Sequence, residues 1–307
     1  MRSFLSIVAC ALPLSLPVLA ISPPSEILVT QEIMPESIYP HELVYISCVI
    51  SNTTDRPIVK SGSNWVTCRY RMEGGQWKTF NLYGPQGTPP APKDIVLPAN
   101  GILEGSMLMS ADIDGTSCFS QPGVWEIQTG TIFGESEVGK LVVKPLIQAP
   151  DALADVPRSA ALLFDEYTFK WANLHEKSVS GQNIDLNSFG FMKRLASSDE
   201  YADWVQMARV WEAKYCGGQR TKDDNDPVYR LCQELVEKYQ NRSIPSEQNP
   251  IPLYRAMREI AVWYSDNGEF KKAGEALLAI REKFANNKPI LRSIDWEERF
   301  IPHQSIE

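Results

Sequence analysis

The sequence predicts a multidomain chain, an all-β part followed by an all-α part, and three observations carry that expectation. As far as Val143, apolar and polar residues alternate in short runs divided by Gly, Pro and Asn turns, the signature of a β-sandwich. From Ser159 onward, apolar residues recur at three- and four-residue spacing, as in amphipathic helices. Pro145, Pro150 and Pro157 stand between the two regimes. A length of 307 residues suits about two domains. The expected division is a signal peptide at 1–20, a sandwich at 21–146, a linker at 147–158 and a helical domain at 159–307.

The first twenty residues have the three regions of a secretory signal. Arg2 supplies the positive charge, Phe4 to Leu19 the apolar run, and Val18-Leu19-Ala20 the small-residue cleavage site. Cleavage is expected after Ala20. The alternative, an uncleaved anchor, suffers from a run that is short for a bilayer and holds Pro13 and Pro17. Ile7-Val8-Ala9-Cys10 is lipoprotein-like, but the apolar run before it is too short. No other stretch is long enough to span a membrane. The expected location is therefore exported, periplasmic or extracellular, where disulfides persist. The net charge of −8 argues against nucleic acid and against a polybasic membrane-surface mode.

In the first part, Glu26–Ile33 is the first expected strand, ended by Pro35 and Pro40. Within Glu42–Ser51, Val44, Ile46, Cys48 and Ile50 fall on one face. Asn52-Thr53-Thr54-Asp55 makes a polar turn. Trp65–Met72 places Val66, Cys68, Tyr70 and Met72 on one face, and Gly74-Gly75 turns into Gln76–Leu82. Pro85 to Pro92 is too rich in proline for a central strand. Ile95–Leu97, Ile102–Met109, Val124–Thr131 and Val138–Val143 complete the set. The stretches "ISCVISNTTDRPI", "LPANG" and "FSQPGVWEIQTG" resemble bacterial immunoglobulin-like sandwiches. The layout is also similar to chagasin-type proteinase inhibitors, although no inhibitory loop transfers residue by residue.

In the second part, Ser159–Glu176, Ser188–Ala196, Glu200–Tyr215 and Val228–Gln240 are expected helices. Asp226-Pro227 supplies an N-cap followed by a proline at the first helical position. Leu253–Ser265 and Glu269–Phe284 form a helical hairpin across Asp266-Asn267-Gly268, and Asn286-Asn287-Lys288-Pro289 closes it. Ala261, Tyr264, Gly268 and Ala273 in that hairpin resemble the tetratricopeptide pattern, with Met257 where its tryptophan stands. Tyr201 to Tyr239 resembles a degenerate preceding hairpin, with Ala208 and Trp211 in the corresponding places. The expected fold is thus an immunoglobulin-like β-sandwich followed by antiparallel, tetratricopeptide-like hairpins.

Five cysteines follow the signal: Cys48, Cys68, Cys118, Cys216 and Cys232. That odd number allows two bridges and leaves one thiol. Cys68–Cys118 is expected, because neighbouring strands carry them, with Cys48–Cys118 as the alternative. Cys216 ends one helix and Cys232 lies in the first turns of the next, and antiparallel packing of the two across the polar loop is expected to bring the cysteines together. The alternative there, a zinc site, lacks ligands: His41, His175 and His303 are not at metal-ligand spacing.

Catalytic motifs are absent: the sequence holds no phosphate loop, dinucleotide fingerprint, G-x-S-x-G elbow or H-E-x-x-H helix. No enzyme activity and no cofactor is expected. Asp112-Ile113-Asp114-Gly115 and Asp223-Asp224-Asn225-Asp226 are candidate calcium loops, more simply turns; Asn52-Thr53-Thr54 and Asn241-Arg242-Ser243 fit the glycosylation pattern. The expected role is binding of a protein or peptide partner, as a scaffold or in assembly. Helical repeats build concave grooves, which makes Arg255, Arg258 and Lys271 candidate contacts, beside the plainer role of a solvated helix face. The alternatives are a sandwich-type proteinase inhibitor and a carbohydrate-binding module that stacks a sugar on Trp77.

Overall fold

The computed structural model describes residues 26–62, 66–80, 93–109, 118–145, 201–215, 221–240, 242, 244 and 248–297. Strands occupy the N-terminal part and five described helices the C-terminal part. The expected signal peptide, linker and helices at 159–176 and 188–196 lie outside the described residues, as do Trp65, Cys216 and the Asp112–Gly115 turn.

Two sheets face each other across the main β core. The first joins β1 (Ile27–Met34), β3 (Val44–Asn52) and β8 (Ile102–Met109), with β3 in the middle and both pairings antiparallel. The second runs β2 (Ser37–Ile38), β11 (Gly139–Val143), β9 (Gly123–Thr131), β5 (Val66–Met72), β6 (Lys78–Phe80), and β10 (Gly134–Glu135) pairs with β9. Only β2 with β11 is parallel in that sheet. β4 (Ile58–Gly62) and β7 (Lys93–Leu97) form a separate ribbon. The sequence pattern does not show β4, nor β2 and β10, whose two residues each are too few to display a period.

Strand alternation builds the core. Val44, Ile46, Met107 and Met109 from the first sheet meet Cys68, Tyr70, Trp125, Ile127 and Leu141 from the second. Phe119 and Trp125 pack edge to face at 5.6 Å, and Tyr70 joins them. A second cluster gathers Val29, Cys48, Ile50, Leu97 and Phe133. The expected Cys68–Cys118 bridge is not formed. Cys68 and Cys118 are both buried thiols of the main β core, and Cys68 Sγ lies 3.5 Å from Met109 Sδ. Cys48 is likewise a buried thiol without a bridge. The second expected bridge falls on Cys216, outside the described residues.

The helices are α1 (Ala202–Tyr215), α2 (Pro227–Lys238), α3 (Ile251–Asp266), α4 (Phe270–Lys283) and α5 (Lys288–Glu297). Asp226 caps α2: its Oδ1 accepts from the N–H groups of Val228 and Tyr229 at 3.0 and 3.1 Å, satisfying donors a helix start leaves open. The expected hairpin is α3 and α4. Ala261 and Ala273 are fully buried where the two meet, and Gly268 takes the turn at φ 78, a backbone conformation open to glycine without strain. α4 ends at Lys283, before the Asn286-Asn287-Lys288-Pro289 stretch expected to close the hairpin, and Lys288 also starts a further helix, α5, that the sequence pattern does not show. Proline in a first helical turn lacks only an N–H that has no intrahelical partner there, so Pro289 opens the helix.

These helices pack on the outer face of the first sheet. Met34, Tyr45 and Leu108 form one cross-strand row there and join the helical core with Tyr201, Trp204, Tyr254, Ile290 and Ile294. Tyr45 meets Tyr254 of α3 edge on at 6.0 Å. One row along, Arg292 of α5 pairs with Glu32 and Glu104 and donates to Ser47. Thus β3 is covered on both faces as far as Cys48, and its Tyr45 and Ser47, outward by alternation, are interior.

Candidate functional site

Two places gather chemistry: the turn that joins the sheets to the helices, and a groove among α2, α3 and α4. The turn is Tyr39-Pro40-His41-Glu42-Leu43. His41 has φ 70, in the left-handed region, and its N–H donates to Phe119 O at 2.8 Å. Each neighbour is then seized by a helix-side group. Tyr201 Oη donates to Pro40 O at 2.9 Å. Asn249 Nδ2 donates to Leu43 O at 2.9 Å, while its Oδ1 accepts from the Ile251 N–H at the start of α3. Glu42, 2 % exposed, accepts from Tyr39 N–H and from Trp204 Nε1, both at 2.7 Å. Burial pushes the Glu42 carboxyl up to about 7, against the pull of those hydrogen bonds and of Lys144. Burial also lowers His41 to about 4, and its Nδ1 has no hydrogen-bond partner among the described residues.

The groove encloses about 600 Å³. Its floor is Leu253, Met257 and Ile260 of α3, at helical spacing. Val236 of α2 forms one wall, and Ala276 and Ala279 of α4 form the other, where small side chains leave room for an incoming backbone. Glu237 and Glu282 stand exposed on the rim without an ion pair among the described residues. Lys283 is the rim's cation, and it is turned inward: its Nζ donates to Tyr239 O at 2.6 Å and Arg242 O at 2.8 Å, tying α4 to the end of α2. That end is tied to α1 as well. Asp203, 4 % exposed, accepts from Tyr239 Oη and Gln248 Nε2 at 2.5 Å each and from Lys238 Nζ at 2.7 Å. Burial, with the Asp203 carboxylate beside it, raises the Tyr239 hydroxyl and keeps it protonated.

The residues expected to bind a partner do not converge on this groove. Arg255 is buried, its guanidinium 5.4 Å from the Trp211 ring. Arg258 is half-buried beside Glu259, and Lys271 is exposed on α4. Trp77 is half-buried, with the guanidinium groups of Arg69 and Arg71 over its ring at 5.0 and 4.3 Å. Asn52 is no exposed acceptor: it is 3 % exposed, and its Nδ2 donates to Arg56 O and Pro98 O at 2.7 and 2.9 Å. Asp223 and Asp226 organise the loop before α2 by accepting from its own groups. No group of acids, cysteines or histidines among the described residues is arranged to hold a metal, and no described helix is long and apolar enough to cross a membrane. The sequence signal for the groove was Leu253, Met257 and Ile260 on one face of a helix whose other face is also apolar. The signal for the turn was only Pro40.

No family model matches this chain, and no curated protein does. Among solved structures, an alkylpurine DNA glycosylase from Pseudomonas fluorescens is similar at 16% identity and a TM-score of 0.27 over 39% of this chain and 31% of its own. A β-glucosidase from Listeria innocua is similar at 12% and 0.27, over 41% and 17%. The CARDB domain of a Pyrococcus furiosus protein is similar at 8% and 0.24, over 39% and 94%. The chain spans less than a third of the first two structures' length.

Proposed function

We propose that this is an exported, non-enzymatic binding protein, an immunoglobulin-like sandwich bearing tetratricopeptide-like hairpins, whose α2–α3–α4 groove takes an amphipathic helical segment of a protein partner. The carrying observation is the groove's construction. An apolar floor repeats at i, i+4 and i+7, small residues line one wall, and the rim's unpaired charges are acidic. Helix-in-groove recognition uses such an arrangement, reading anchors on successive turns of the incoming helix. The floor from Leu253 to Ile260 is about 10 Å long at the usual helical rise, which accommodates two turns of the partner. Glu237 and Glu282 favour a segment flanked by lysine or arginine. The fold supports this role because α5 packs on the sheet and Tyr254 of α3 meets Tyr45 there, while this groove is open.

The test is selection of helical peptides from a displayed library on the full chain, followed by affinity measurement. Selected sequences are expected to carry apolar residues on successive turns with basic flanks, and to lose at least tenfold in affinity for the Ala279→Trp variant, which fills the wall. Affinity is also expected to fall with rising salt. Selection of nothing, or of peptides that bind Ala279→Trp equally well, would refute the proposal.

A further inference from the structure

We propose that the Tyr39–Leu43 turn is a proton-operated latch, in which uptake of a proton by Glu42 locks the helices onto the sheet and its loss loosens them. The geometry places Glu42 at the centre of the contact between the two parts. Its carboxyl receives one donor from its own turn, Tyr39 N–H, and one from α1, Trp204 Nε1. The residues on either side are held from the helical part too, Pro40 by Tyr201 and Leu43 by Asn249. Any separation of α1 from the turn therefore exposes Glu42 to water, and any docking removes it.

A buried carboxylate needs a counter-charge, and none is in contact. No salt bridge reaches Glu42 among the described residues. The groups that face it are few. From its own turn come Tyr39 and His41, and burial holds His41 neutral above about pH 4. From α1 come Trp204 and Tyr201, and from the segment before α3 comes Asn249, all uncharged. From the end of β11 comes Lys144, whose charge favours the ionised form but which lies over the Tyr39 ring at 4.2 Å. The hydrogen bonds from Tyr39 and Trp204, the Asn249 amide beside them and a more distant ammonium do not repay the lost hydration of an anion.

The direction follows from proton linkage. Docking raises the carboxyl from 4.5 to about 7, so docked Glu42 holds a proton that undocked Glu42 has released. The stabilisation is complete below about pH 4.5 and is lost as pH rises through about 7. Across that window the docking equilibrium weakens by up to roughly 300-fold. Local opening at the turn costs less than global unfolding, so the change is read first as undocking of α1.

The experiment uses the full chain labelled with ¹⁵N-tryptophan, titrated over about pH 5 to 9. The Trp204 indole signal, identified by its loss in Trp204→Phe, is expected to move with a midpoint near pH 7. Amide exchange of residues 201–215, corrected for its chemical rate, is expected to rise at least tenfold between about pH 5 and 7 and to level off above that midpoint. In Glu42→Gln both are expected to be flat. An indole signal that does not titrate, exchange that does not follow it, or pH dependence that survives Glu42→Gln would overturn the proposal. If Glu42→Gln does not fold, Lys144→Met decides: removing the charge that favours the ionised carboxyl must move the midpoint upward, and an unmoved midpoint rejects the latch.

Discussion

Asp203 ties three segments together, and its removal gives a quantitative measure of what holds the groove open. Its carboxylate is buried and takes Tyr239 Oη, Gln248 Nε2 and Lys238 Nζ, all at 2.7 Å or less. In Asp203→Ala the three donors fare differently. Lys238 is 45% exposed at its side chain and turns to water at little cost. Tyr239 is 4% exposed, so its hydroxyl loses a charged acceptor with no water to replace it. Gln248 is half-buried and is partly rehydrated. A buried donor left unmet costs about 1–3 kcal/mol, and charge-assisted bonds lie at the upper end. The expected loss is therefore about 3–5 kcal/mol for Asp203→Ala. Tyr239→Phe, which removes one donor and leaves the carboxylate two others, is expected to lose about 1–2 kcal/mol. The double variant is expected to match Asp203→Ala to within about 1 kcal/mol, since both act on one network. Urea unfolding followed by tryptophan fluorescence measures all three, with an unchanged m-value showing that the reference state is the same. A loss below about 1 kcal/mol for Asp203→Ala at constant m would show that the cluster is solvated and does not brace α2.

Two further predictions concern residues with strongly constrained surroundings. Asn52→Ala is expected to cost about 1–3 kcal/mol, because it leaves the Thr54 N–H without its acceptor and takes one of two donors from the carbonyls of Arg56 and Pro98; the same burial predicts no glycan at Asn52 by mass spectrometry after expression in a glycosylating host. Cys48 and Cys68 are pushed by burial to about 11 and about 12, so they are expected to resist a thiol reagent at about pH 8 in the folded protein and to react fully in denaturant; fast labelling of either in the folded protein would contradict their placement in the core.

Much of the fold was legible because each strand and helix records its own buried face. Val44, Ile46 and Ile50 alternate, and all three lie in the β interior. Ala261, Ala273, Leu277 and Ile280 recur at helical spacing, and all four are buried. Asp226-Pro227 announced the start of α2 because the chemistry of a helix start is local. What failed to show was whatever depends on a second surface. Tyr45 and Ser47 look like the solvated face of β3, since a tyrosine and a serine suit water as well as a neighbour. Pro289 looks like a stop, since proline both ends helices and begins them, and only the buried Ile290 and Ile294 beyond it reveal which.

The same limit explains why the groove contacts expected from charge went elsewhere. Arg255, Arg258 and Lys271 are cations on helices, and periodicity alone does not say which flank of a helix meets another element. Arg255 falls against Trp211 because α3 packs on α1 as well as on α2 and α4. Packing on the sheet also changes what an acid in the turn can mean. Glu42 in an isolated sandwich is a solvated loop residue with an ordinary carboxyl; beneath Trp204 and Asn249 it becomes a buried group whose charge opposes docking. Its chemistry therefore belongs to neither part alone, and a β part separated from its helices should titrate at Glu42 like any exposed carboxylate.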